Sequence, residues 1–165
     1  MQLRDFFDYK NQLMEDLLTS EPIVKLINEN IDISDAKQLA YTQVFPCEYV
    51  PETVQEGKTY VCFDVDIQKS VSKTYYLPTL YVWVFAHRSK LRLPEGGVRT
   101  DELCSEICKA INGSLKYGLG EIELYSVKRF APMTDYQGKV LVFYAKEFSK
   151  VYNPTKEIPD NRKKG

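Results

Sequence analysis

Two neighbouring runs of alternating residues, KTYVCFDVDI (Lys58–Ile67) and LPTLYVWVFAH (Leu77–His87), joined by the polar connector QKSVSKTYY, constrain the fold of this chain more than any other stretch. In the first run Val61, Phe63, Val65 and Ile67 alternate with Tyr60, Cys62, Asp64 and Asp66, so a pleated strand carries four apolar residues on one face. The spacing predicts a half-buried strand. In the second run Leu80, Val82, Val84 and Ala86 share one face and Tyr81, Trp83, Phe85 and His87 the other, so neither face is polar. Such a strand needs cover on both sides. Helices of the same domain can cover one side, but a lone domain of this size has few elements left for an aromatic second side. A partner subunit is the natural candidate. Tyr81, Trp83 and Phe85, with the preceding Tyr75 and Tyr76, are therefore candidate subunit-interface residues, because large aromatics make poor solvent residues and good anchors. The competing expectation is that the amino-terminal helices cover this face within one subunit, which would make Trp83 plain core.

The remaining elements follow from periodicity and end signals. Gln2 to Thr19 reads as an amphipathic helix with Phe6, Phe7, Leu13, Met14, Leu17 and Leu18 on one side. Ser20 is placed to cap a second short helix starting near Glu21 and Pro22. Between Ile31 and Val44 the signals conflict. Phe45 to Thr53, with two prolines among aromatics, suits an extended segment laid over the domain rather than a central strand. RSKLRLPEGG, Arg88 to Gly97, reads as a basic loop that is mobile or shaped by a partner. A helix over Asp101–Asn112, capped by Thr100 and stopped by Gly113, carries the stripe Leu103, Cys104, Ile107, Cys108 and Ile111. Strands over Glu121–Ala131 and Lys139–Phe148 flank a hairpin loop, Pro132 to Gly138. The expectation is a single α+β domain over 1–149, with a mixed or mainly antiparallel four-stranded sheet packed with helices in the order α-α-β-β-α-β-β. Residues 150–165 read as a polar, flexible arm.

Composition narrows the function classes. A chain of 165 residues fits one domain with an ordinary core, roughly 70% of its unfolded surface being buried. The formal net charge of −1 gives no global drive toward nucleic acid or acidic membrane, although the segment from Lys150 onward carries +3 and the body −4. No apolar run is long enough to span a bilayer and no signal core opens the chain, so no membrane partner and a cytosolic site of synthesis are expected. Cys47, Cys62, Cys104 and Cys108 lack zinc-type spacing and read as reduced, buried thiols. The acidic pairs Asp64/Asp66 and Glu121/Glu123 sit at i, i+2, as on the outward face of any amphipathic strand. His87 is the lone histidine, and the glycines form no phosphate loop. No catalytic, cofactor-binding or metal residues are assigned. The enzyme alternative is a metal-dependent nuclease or other small enzyme using Asp64, Asp66 and Glu123.

The combination LLTSEPIVKLI, VFPCEYVPET, GKTYVCFDVDI, LPTLYVWVFAHRS and DELCSEICKAING, followed by two closing strands, resembles tail-terminator (tail-completion or neck) proteins of tailed bacteriophages, over about Leu13 to Phe148. The resemblance implies a small α+β subunit in a homo-oligomeric ring, usually a hexamer. That ring caps the tail tube, contacts the tube protein and the head-side connector or adaptor, and lets DNA pass through its lumen without sequence-specific binding. It implies a place in the virion tail or neck, with assembly in the host cytoplasm, and no catalysis. The matching positions are scaffold residues, so no site is carried over. A neighbouring head-completion adaptor is a further alternative.

Overall fold

The computed structural model describes residues 4–50, 57–69, 75–117, 121–145 and 149–150. Three helices, α1 (Arg4–Thr19), α2 (Glu21–Ile27) and α3 (Arg99–Ile111), pack against a mixed sheet of six strands. The strands are β1 (Val44–Phe45), β2 (Thr59–Lys69), β3 (Tyr75–His87), β4 (Ile122–Met133), β5 (Tyr136–Ala145) and β6 (Ser149–Lys150). The sheet order is β1-β2-β3-β5-β4, with β6 pairing the start of β3. Among the described strands β1 alone is parallel to its neighbour. The four long strands are those expected from alternation, and the two added strands are two residues each, too short to show a period.

The faces separate as the alternation requires. Val61, Phe63, Leu80, Val82, Val84, Leu141 and Phe143 share a core with Leu13, Leu17, Ile23, Val24, Leu103, Ile107 and Ile111 of the helices. Each fully buried side chain of this size contributes about 2 kcal/mol of transfer free energy. In α1 the buried stripe is Tyr9, Leu13, Leu17 and Leu18, while Phe7 is exposed, which corrects the expectation that Phe7 belongs to it. The i, i+4 ladder running back from Leu17 through Leu13 lands on Tyr9. The contested stretch contains a 3₁₀ helix, Ile33–Leu39, that buries Ala36 and Leu39.

Two end signals act differently from expectation. Ser20 does occupy the N-cap of α2, yet its side chain makes no capping bond. Helix α3 begins one residue before Thr100, with Val98 at its N-cap, and Thr100 is buried. The buried Arg99 ties three segments together there: Nε donates to the Lys90 carbonyl at 2.7 Å, Nη1 to the Leu26 carbonyl at 3.0 Å and Nη2 to Glu29 at 2.8 Å. The loop expected to be mobile or partner-shaped is ordered by its own bonds. Leu93 N–H donates to the Gly97 carbonyl and Gly96 N–H to the Leu93 carbonyl, with Gly96 at φ 99° and Gly97 at φ 95° making the turn. The hairpin loop between β4 and β5 is also shorter than expected, because Tyr136, Gln137 and Gly138 already belong to β5. Of the expected carboxy-terminal arm only Lys150 lies within the described residues, where it pairs with Tyr75.

Candidate assembly surface

The sheet face opposite the helices is built in rows. Cys62, Trp83, Val140 and Lys128 lie side by side across β2, β3, β5 and β4, and Asp64, Tyr81, Val142 and Ser126 form the next row. At one end this face is closed by the subunit itself. Phe45, Tyr60, Cys62, Phe85 and Tyr136 form a second buried cluster, with Tyr49, Trp83, Phe130 and Met133 against it. The Phe45 and Tyr49 rings stack at 4.0 Å and both lie near Tyr60, so the proline-flanked segment does cover part of the sheet.

The candidate residues divide on this face. Phe85 is fully buried between Tyr60 at 5.4 Å, Phe130 at 5.7 Å and Tyr136 at 6.0 Å, so it offers no surface to a partner. This corrects its assignment to an interface. It was misread because sequence alternation shows which residues share a face and not how far a neighbouring hairpin reaches over it. Tyr81 and Trp83 are half-buried and stacked, ring centroids 5.7 Å apart. Tyr75 and Tyr76 lie in β3 opposite Lys150 and Ser149, and their side chains fall outside the described residues. The structure adds residues that the sequence reading left out: Val140, Val142 and Tyr144 of β5 continue the strip, and Tyr125, 69% exposed, packs on Tyr144 at 4.5 Å. Their signal was present in β5, where both alternating sets are apolar.

The carboxylates of the enzyme alternative are not brought together. Asp66 and Glu123 occupy the same row but are separated by β3 and β5, about 14 Å at ordinary strand spacing, whereas one metal needs ligand oxygens within about 2.5 Å. Asp64 forms an ion pair with Lys10 of α1, whose Nζ also donates to the Pro46 carbonyl. Among the described residues no group of three His, Cys, Asp or Glu is placed to hold a metal. His87 serves local structure: its Nδ1 accepts from the Ser89 N–H, capping a short 3₁₀ turn, and its ring meets Tyr136 at 5.3 Å. Burial holds the Cys62 and Cys104 thiols protonated, pushed up to about 12, and also raises Cys108. These are poor nucleophiles.

Two open grooves flank β4 on the helix side. One, of about 500 Å³, is lined by Cys104, Cys108, Leu124, Val127 and Leu141. The other, of about 910 Å³, lies between the 91–98 loop and the β4–β5 hairpin and is lined by Arg92, Val98, Asp101, Arg129, Phe130 and Lys139. No helix among the described residues is long and apolar enough to cross a membrane.

A protein-family model, YomW, matches residues 12–145. The chain belongs to the YomW family. The YomW match runs from within α1 to the end of β5 and so contains the second buried cluster, the aromatic strip and all of the main core except Tyr9. Among solved structures, a chain described as "Virion of native gene transfer agent (GTA) particle" is similar at 14% identity and a TM-score of 0.41, covering 78% of this chain and 92% of that chain. Comparison with curated proteins finds no match.

Proposed function

We propose that this YomW-family protein is a structural, non-catalytic subunit of a phage-type virion. In this reading it forms a homo-oligomeric ring that ends the tail tube and meets the head-side connector, as the resemblance to tail terminators implies. The observation that carries the proposal is the aromatic strip Tyr81, Trp83, Val140, Val142, Tyr144 and Tyr125. It lies on the face opposite the helices: Trp83 adjoins the Phe45–Tyr49 end, Tyr81, Val140 and Tyr144 are half-buried around the buried Val142, and the strip ends in the exposed ring of Tyr125. A contiguous apolar patch on a sheet face is the ordinary signature of a surface that another chain covers.

The test is the mass of the purified protein, alone and with tail tubes, beside the Trp83→Ala and Tyr125→Ala variants. Both variants are expected to keep native-like circular dichroism and to lose ring formation or tube capping. Trp83→Ala should also lower stability by about 1 to 3 kcal/mol, because its ring touches the buried cluster. Tyr125→Ala removes an exposed ring and tests assembly without that complication. A wild type that stays monomeric even with tubes present rejects the ring. Magnesium- or manganese-dependent DNA cleavage, lost in Asp64→Ala with Asp66→Ala, would overturn the non-catalytic reading.

A further inference from the structure

Among the described residues the sheet has two open edges, on opposite sides of the subunit, and they match each other. On one side β4 pairs, among the described strands, with β5 alone. On the other, β2 is met by β1 at Val61 and Cys62, and no described strand pairs with the outer side of β2 from Phe63 to Lys69.

The backbone directions can be read from hydrogen bonds. Val61 N–H donates outward to the Gln43 carbonyl, and Val65 N–H, on the same side by alternation, is taken by the Asp64 carboxylate at 2.8 Å rather than by a strand. Val65 and Ile67 therefore direct their backbone groups outward. Carrying the alternation across β3 and β5 places Val127 and Arg129 outward on β4. The Leu124 N–H, beyond the register shift in β4, also faces away from β5 and is satisfied by Asn112 Oδ1 at 2.7 Å. That capping stops at Leu124.

We propose that one subunit's β4 edge pairs antiparallel with the β2 edge of a second copy, with Val127 opposite Ile67 and Lys128 opposite Asp66. Three independent features meet in this register. Val127 and Ile67 are both outward-directed in the backbone, and both lie on the helix side of their strands, so their side chains would extend the groove lined by Leu124 and Cys108. Lys128 and Asp66 are both exposed on the opposite face, and neither has an ion-pair partner among the described residues. Shifting the register by two puts Lys128 opposite Asp64, already paired with Lys10, or opposite the uncharged Gln68. The contact joins two different surfaces of the same chain, so repeating it is head-to-tail and closes into a ring when the rotation allows. The bare edge is otherwise an aggregation hazard. This inference rests on the self-assembly reading and specifies its lateral junction.

The test uses the full chain. In a Cys47→Ser background, which removes the exposed native thiol, Lys128→Cys with Asp66→Cys is oxidised under non-denaturing conditions. A non-hydrogen-bonded antiparallel pair brings Cα atoms to about 4.5 Å, within disulfide range. The expected product is a ladder of covalent oligomers beyond the dimer. In parallel, Lys128→Asp and Asp66→Lys alone should raise the concentration for half-assembly about tenfold or more through like-charge contact, and the double reversal should restore it. A wild type that assembles, with no cross-link or only dimers and with unaffected single reversals, overturns the edge junction and leaves the ring reading standing. A wild type that never assembles, tubes included, overturns both.

Discussion

Gly138, the last residue of the expected hairpin loop, belongs instead to a strand. Two positions beyond a tight turn it looks like loop, but it lies in β5 between Phe85 and Phe130, whose rings meet edge to face in the same row. A Cβ there would come within 1.7 Å of the Val84 carbonyl oxygen and 2.6 Å of Phe85 Cα, backbone atoms that have little freedom to yield. Gly138→Ala is expected to destabilise by about 2 to 4 kcal/mol in urea unfolding; a change below about 0.5 kcal/mol would contradict it. The thiols supply a second residue-scale prediction. Cys62 and Cys104 titrate near 12 when folded against an ordinary 9.0, so the native state stays protonated where the unfolded chain ionises. Their contribution is whole below pH 9 and is lost as pH rises toward 12, and buried Tyr9 and Tyr117, also shifted upward, act in the same direction. The urea midpoint should fall steadily above about pH 9. At pH 8 a thiol reagent should modify exposed Cys47 rapidly, and Cys62 and Cys104 only on unfolding.

At the scale of elements, Arg99 is the rivet of the helical layer. A cation in the first turn of a helix opposes the helix dipole, so sequence rules give no reason for it. Its position is explained by the acceptors it reaches: the end of α2 through the Leu26 carbonyl, the basic loop through Lys90, and Glu29. Arg99→Ala leaves those carbonyls without a donor and should cost about 2 to 4 kcal/mol. Arg99→Lys should recover only part of that, because one ammonium cannot span the fork of a guanidinium. Equal stability of the alanine and lysine variants would show that the fork is not what holds the segments together. The α3 stripe itself was legible, since Leu103, Cys104, Ile107 and Ile111 are buried as the spacing requires.

For the whole molecule, the strip and the edges predict how assembly answers to salt. An aromatic contact is insensitive to screening, whereas the Lys128–Asp66 pair, exposed and single, contributes at most about 1 kcal/mol per junction. The assembled mass is therefore expected to survive about 1 M salt, a concentration that shortens screening to about 3 Å. Dissociation into monomers under those conditions would assign assembly to charge and remove the strip from the interface.

Alternation and helical spacing, both local properties of the chain, were enough to establish an α+β domain, four long strands and which residues of each strand share a face. What they left undecided depends on contacts between residues distant in sequence. Whether Phe85 is surface or core turns on a hairpin some fifty residues further along the chain and on a segment forty residues before it, Phe45, Phe130 and Tyr136 all converging on the same ring environment. The order β1-β2-β3-β5-β4 likewise decides that Asp66 and Glu123 stand apart, that β4 and β2 are the open edges, and that the strip ends at Tyr125. Strand periodicity carries the direction of a side chain, and only the closure of the chain on itself determines which neighbour meets it.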